Sequence, residues 1–334
     1  MGDASVGVYV HVPFCERICP YCDFAVVAAR QLDPQRADRY VAALCAELER
    51  RRPVFAGRWL ESLYLGGGTP SLLLPQQVER VVGAVRAAFP ARGAVEVTLE
   101  LNPDTLERER LGGFREAGVG RVSVGVQSFD DTTLRRLGRA HRAEEARRSL
   151  AACRAAGFET LSLDLLFGAP RQTPAGFEAD LAAAVAFGPE HLSAYELTLE
   201  PGTPFARAAA RGRLARPGED VLLAMYEALE RRLGAAGYRR YELSSWAFPG
   251  REAVHNRRYW ERRPVLGLGM GAVSTDPPGD DAPFGVRRAN LRGLDGYLAA
   301  VEAGRPAEGE APELLGRETA RGEAVSRQIG RAHV

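Results

Sequence analysis

Cys15-Glu16-Arg17-Ile18-Cys19-Pro20-Tyr21-Cys22 is the stretch whose reading decides the fold. It follows a short apolar alternation, Val8-Tyr9-Val10-His11-Val12, which predicts a strand near Gly7–Val12. Thiolates are soft ligands that suit zinc and iron–sulfur clusters. Three of them within eight residues, with Pro20 in the turn, can converge on one centre. A [4Fe–4S] cluster takes four ligands, so three cysteines leave one iron open to something that is not protein. A structural zinc site closes with a fourth Cys or His, and His11 is the nearby candidate. A zinc knuckle and a set of buried or redox cysteines are the alternatives at this point.

Outward from that run, short β-like stretches alternate with longer helical patterns. Strands are predicted at 60–65, 95–101, 121–126, 160–167 and 191–198, after the one at 7–12. Helices are predicted at 33–51, 75–89, 104–117, 131–156 (in two pieces), 174–186 and 219–236, before a strand-like stretch at 238–243. Asp33-Pro34 is an N-cap followed by Pro at the first helical position, and Gly118 and Gly157 are C-terminal stops. Strand–helix units in series predict a parallel sheet with helices outside it. Six units are too few for a closed eight-unit barrel. Periodicity leaves open whether the sheet is a curved partial barrel or an open doubly wound one.

The other cysteines are predicted to be core. Cys45 shares a helical face with Val41, Leu44 and Leu48, and Cys153 with Ala146 and Leu150. Formal net charge is +1, with 44 basic and 43 acidic residues, every basic one an Arg. No such field demands nucleic acid. No apolar stretch is long enough to span a bilayer, and the cysteine usage fits a reducing, cytoplasmic compartment.

The Cys-x3-Cys-x2-Cys run resembles the signature of the radical S-adenosylmethionine (SAM) superfamily. The wider match, Tyr9-Val10-His11-Val12-Pro13-Phe14-Cys15 through Cys22-Asp23-Phe24, is similar to one branch of it. That branch holds the oxygen-independent coproporphyrinogen III oxidases and the HemW haem chaperones. The resemblance runs from about Tyr9 to about Ser274. It implies a partial, laterally open (β/α)6 barrel, with Cys15, Cys19 and Cys22 binding a [4Fe–4S] cluster and SAM on the open iron. It also implies a SAM pocket at the ends of the strands: the turn Gly67, Gly68 and Thr69, then Glu100, Gln127, Arg139 and Asp164, with Tyr9 beside the cofactor. Glycines let backbone approach a ligand without Cβ interference, and strand ends are where such folds collect chemistry.

Beyond the barrel, His255-Asn256-Arg257-Arg258-Tyr259-Trp260 resembles the HemW segment proposed to hold haem. A neutral imidazole ligates haem iron, so His255 is the expected axial ligand, with His191 the other candidate. Relatives commonly have Gly-Ala-His-Ser where this chain has Gly271-Ala272-Val273-Ser274. The apolar glycine run Leu266–Ala272 carries no predicted element, and 275–283 reads as a loop. The expected organisation is a barrel at 1–245 with the iron–sulfur and SAM sites and an extension at 246–328 with the haem segment. Ile329–Val334 is expected to be a non-native tail on a chain that naturally continues further.

These features lead to a haem chaperone that passes haem to haem-dependent proteins, respiratory ones among them. The alternatives are a true coproporphyrinogen III oxidase and a structural zinc protein. The oxidase pattern usually places a further cysteine where Phe24 stands, and Asp23-Phe24 with the 255–260 segment favours the chaperone.

Overall fold

The structure, a computed structural model, describes residues 4–103 and 105–317. Ile329–Val334 lies outside the described residues. Six parallel strands form the frame: β1 (Ser5–Val12), β2 (Trp59–Gly67), β3 (Ala91–Leu101), β4 (Arg121–Gln127), β5 (Thr160–Phe167) and β6 (His191–Glu196). Each lies beside its predecessor, so sheet order equals chain order. The connecting helices are α1 (Pro34–Arg51), α2 (Pro75–Ala88), α3 (Thr105–Glu116), the pair α4 (Asp131–Arg136) and α5 (Ala143–Ala155), and α6 (Pro174–Ala186). A doubly wound sheet needs a point where strand order reverses. Here it never reverses, so right-handed crossovers place every helix on one face and the sheet curls. That resolves the choice left open by periodicity in favour of the partial barrel.

The local signals act as expected. Asp33 accepts a hydrogen bond from the Gln35 amide at 3.1 Å and starts α1, whose apolar face buries Tyr40, Val41, Leu44 and Leu48 against the sheet. Cys153 is buried on α5, and Cys45 is half-buried against the core. Gly118 and Gly157 stop their helices at φ of +94° and +81°, which only glycine adopts cheaply.

The sheet does not end at β1. After α7 (Pro204–Ala210) and α8 (Glu219–Ala235), β7 (Arg239–Glu242) and β8 (Ser245–Ala247) extend the far edge, β8 antiparallel to β6 and β7 antiparallel to β8. After α9 (Val254–Trp260), the unassigned glycine run becomes β9 (Val265–Leu268), parallel to β1 on its open side. Three antiparallel strands follow, β10 (Val273–Asp276), β11 (Val286–Ala289) and β12 (Glu313–Leu314), with α10 (Leu294–Glu302) before the last. A Cβ on Gly267 would stand 2.5 Å from the Val273 carbonyl oxygen. The glycines therefore serve close strand contact, a use that a periodicity test cannot register. Glu47 of α1 fixes the turn after β9, accepting from the Gly269 amide at 2.8 Å, Asn290 Nδ2 at 2.6 Å and Tyr297 Oη at 2.7 Å.

Helix α9 closes the amino-terminal end of the barrel. Arg258 is fully buried, pairs with Glu61, and donates to Ser5 Oγ at 2.7 Å and the Pro264 carbonyl at 2.7 Å. It thereby ties α9 to the starts of β1, β2 and β9. Among the described residues, no helix is long and apolar enough to cross a membrane.

Candidate functional site

The barrel interior is polar where a closed barrel would be packed with branched apolar side chains. Tyr64, Glu100, Ser123, Asp164 and Ser193 point inward from five consecutive strands, with Thr98, Arg121, Ser162 and His191 in the layer below. The result is a cavity of about 850 Å³ that runs from the cysteine loop at the carboxyl ends of the strands to α9 at the floor. Every site residue expected from the sequence lines this one cavity, the three cysteines and His255 included.

The cysteine loop is held at several points. Phe14 and Cys15 pair with Val27 and Ala28 as a two-residue ladder, and the Cys22 amide closes a turn on the Cys19 carbonyl at 3.1 Å. Pro20 packs against Gly138, where a Cβ would lie 2.6 Å from the Pro20 ring, and its carbonyl accepts from the Phe205 amide at 3.0 Å. Thr69 Oγ1 donates to Cys15 Sγ at 3.8 Å, and Arg139 Nη1 to Cys19 Sγ at 3.6 Å. Burial pushes the Cys15 thiol up to about 11 and raises that of Cys22. Thiolates would form here through the charge of a bound metal centre.

The donor set fits a cluster better than a single ion. Three thiolates leave one iron of a [4Fe–4S] cluster open, whereas a structural zinc site closes with a fourth protein ligand. A cubane takes each thiolate on a different iron. His11 is occupied at both nitrogens, with Tyr9 Oη 3.0 Å from Nδ1 and the Ala25 carbonyl 2.8 Å from Nε2.

The Gly66-Gly67-Gly68-Thr69 turn lines the cavity and also packs against the segment that leads into the cysteine loop. A Cβ on Gly67 would stand 2.4 Å from the His11 ring, and one on Gly68 would stand 2.7 Å from the Phe14 carbonyl oxygen. The Gly68 and Thr69 amides donate to Val12 and Phe14 carbonyls at 2.8 and 2.7 Å. These glycines let the turn dock on the cysteine loop itself. Gly68→Ala should accordingly displace that loop. The expected result is reduced iron per chain after anaerobic reconstitution, with overall folding retained; parent iron content in that variant would refute the docking role.

Glu100 accepts from Tyr64 Oη at 2.6 Å and from the Gly67 amide at 3.0 Å. Burial raises its carboxyl to about 7, against these two hydrogen bonds. Asp164 accepts from Ser123 Oγ at 3.0 Å, and burial raises it to about 6. Arg139 is fixed by Asn102 Oδ1 and by the Gly125 carbonyl at 2.9 Å. Gln127 ends β4 at a φ of +66°, after a register shift. A non-glycine residue there is strained by roughly 1–3 kcal/mol, a cost that tends to mark functional positions. Asn102 was missed as a site residue, although it links Arg139 to Thr69 Oγ1, to which its Nδ2 donates at 2.7 Å. Its place at the strand end was the available signal. Tyr64 was missed too; strand alternation from Ser62 and Gly66 puts it inside. Arg139 Nε, Thr98 Oγ1, Arg121 Nη2 and His191 Nδ1, all from lining residues, have no hydrogen-bond partner among the described residues. Buried polar atoms of this kind are where a polar ligand is accommodated.

His255 lies on α9, inside the cavity that also holds the cysteine loop. It is 2% exposed and sits on the cavity floor, stacked on Tyr64 with ring centroids 5.3 Å apart. Ser62 Oγ lies 2.9 Å from Nδ1 and Tyr259 Oη 3.2 Å from Nε2. Burial, with the Arg258 guanidinium nearby, pulls its pKa down to about 3. The ring is therefore held in the neutral form, and a group approaching Nε2 would first have to swing Tyr259 away. His191 is buried as well, 2.8 Å from Tyr241 Oη through Nε2.

The chain matches the Radical SAM superfamily model over residues 9–184. It is 38% identical over 267 residues to "Heme chaperone HemW" of Escherichia coli (strain K12), covering 80% of this chain and 69% of that protein. It is 40% identical over 266 residues to the protein of the same name from Mycobacterium tuberculosis (strain ATCC 25618 / H37Rv), covering 80% and 68%. Among solved structures, coproporphyrinogen III oxidase (HemN) from Escherichia coli, described as a radical SAM enzyme, superposes with a TM-score of 0.82 at 27% identity. That match covers 98% of this chain and 76% of the other.

Proposed function

From the premise that this chain belongs to the radical SAM superfamily and, within it, to the HemW haem chaperones, we propose that it binds haem and delivers it to haem-dependent proteins. The observation that carries this is the meeting of the cluster loop, the strand-end pocket and the 255–260 segment in one cavity. Residues 1–245 hold the cofactors in this proposal, and 246–328 contribute the haem contacts. The acceptors are other proteins, respiratory ones among them, and the compartment is the cytoplasm.

Cys15, Cys19 and Cys22 would hold a [4Fe–4S] cluster, which supplies one-electron chemistry to SAM when both are bound. Glu100, as a carboxylate, is the partner for the SAM ammonium. Arg139 is the partner for its carboxylate, set at the cluster edge by Asn102 and Gly125. Asp164 and Gln127 orient the rest of the ligand from the far strands, and Thr69 joins the two sides through Asn102. Tyr9 closes the wall between the cluster loop and α9, its ring 6.3 Å from that of His255.

His255 is the proposed haem ligand. His255→Ala should lower haem affinity about tenfold or more and shift the Soret band of any remaining complex, with unchanged iron–sulfur content. An unchanged spectrum would remove it from the site. The second reading is a coproporphyrinogen III oxidase, favoured by the 0.82 TM-score to HemN. Anaerobic assay of the reconstituted protein for porphyrinogen decarboxylation separates the two.

A further inference from the structure

Beside the main cavity lies a smaller one of about 370 Å³, between the cysteine loop and β10–β11. The two cavities share Tyr9, Asp23, Phe24 and Tyr259 as their dividing wall. On the outer side of that wall are Val273, Thr275, Arg287 and Arg292. Phe24 is 68% exposed and Val273 42%, an unusual pairing of bare apolar groups beside guanidinium groups.

We propose that this second cavity is the seat for the propionate edge of haem, with Arg287 and Arg292 receiving the two carboxylates and Phe24 and Val273 the apolar ring face. The inference rests on the haem-carrier reading above and adds the residues that select the ligand. The charges are complementary: two guanidinium groups face a lining that contains one carboxylate, Asp23. A flat apolar dianion matches that combination, and Arg binds carboxylates in a planar fork.

The Arg292–Asp23 and Arg287–Glu313 pairs are cheap to exchange. Arg292 Nη2 donates to the Asp23 carbonyl at 2.6 Å and stands 3.8 Å from Asp23 Oδ1, with its side chain 65% exposed. Arg287 Nη1 donates to Glu313 Oε2 at 3.1 Å, with 34% and 50% of the two side chains exposed. Exposed pairs of this kind contribute little. Tyr259 stands between this cavity and His255, bonded to the ligating nitrogen. The same swing of Tyr259 that frees His255 would join the two cavities, so a ring seated on the arginines would reach the imidazole.

The test compares haemin with haemin dimethyl ester, which keeps the ring and loses both carboxylates. Each is titrated into the reconstituted full chain in the same detergent buffer and followed at the Soret band. The parent should prefer haemin about tenfold. R287Q/R292Q should lose that preference, and R287E/R292E should invert it, with iron–sulfur content and SAM binding unchanged. A parent that binds both porphyrins equally, or a double variant that keeps the preference, overturns the proposal while leaving the carrier reading in place. A parent that binds neither porphyrin overturns the carrier reading, and this proposal falls with it.

Discussion

Replacing Cys15, Cys19 or Cys22 with Ser should leave the protein without its cluster. Each thiolate would hold a different iron of a cubane, and among the described residues no other cysteine lines the cavity. A hydroxyl is a poor substitute for a soft thiolate. After anaerobic reconstitution with iron and sulfide, each variant should lose nearly all of the iron and of the cluster absorbance. Cys45→Ser and Cys153→Ser are the controls. Those residues lie on α1 and α5, away from the cavity, and their variants should keep full iron content. One equivalent of tightly bound zinc in the parent, with no iron, would sink the cluster assignment.

Glu100→Gln should cost about a hundredfold in SAM affinity while leaving the cluster intact. The Glu100 carboxylate is buried in the strand-end pocket, where it would face the ammonium, and losing one partner of a buried charged contact costs on the order of 3 kcal/mol. The pH dependence makes the assignment specific. Burial raises the Glu100 carboxyl to about 7. Only its ionised form attracts the ammonium, so parent SAM affinity should climb as pH rises toward 7 and level off above it. The variant should show no such step. Stability of the cofactor-free protein runs the other way. Between about 4.5 and about 7 the folded chain keeps a proton that the unfolded chain has lost. Stability therefore falls as pH rises through that window, by on the order of 3 kcal/mol from this group. Asp164, raised to about 6 by the same cause, adds to the fall. A stability curve as steep in Glu100→Gln as in the parent would contradict this assignment.

The six strand–helix units were legible because each signal is local. Apolar alternation, Asp33-Pro34 and the glycine stops act within a few residues, and the structure places those elements where periodicity predicts them. The strand-end residues were legible for a related reason. A parallel sheet brings the carboxyl ends of its strands to one face, so Glu100, Gln127 and Asp164 had to share a neighbourhood.

Other features had no local signature. Whether the sheet curls depends on the order of strands in space, and periodicity holds no record of that. Gly267 and Gly269 look like flexible punctuation in the chain, yet they serve contacts with Val273 and Tyr40, the second lying 229 positions away by the residue numbers (269 − 40). His255 read as a ligand on an aromatic segment beyond the barrel. Buried Arg258 ties that helix to Ser5, Glu61 and Pro264 and turns it into the floor of the barrel.

The sequence by itself determined the six strand–helix units, the gathering of three thiols in the 15–22 run and the strand-end residues Glu100, Gln127 and Asp164 of the cavity, because these follow from side-chain type and short-range geometry. Tertiary structure decided that the glycine turn cradles the cysteine loop and that Tyr259 covers the imidazole of His255. It also brought Phe24, Val273, Arg287 and Arg292 together at one opening. Those outcomes depend on which distant surfaces meet when the core closes, and steric fit across the fold is expressed by no single stretch of chain.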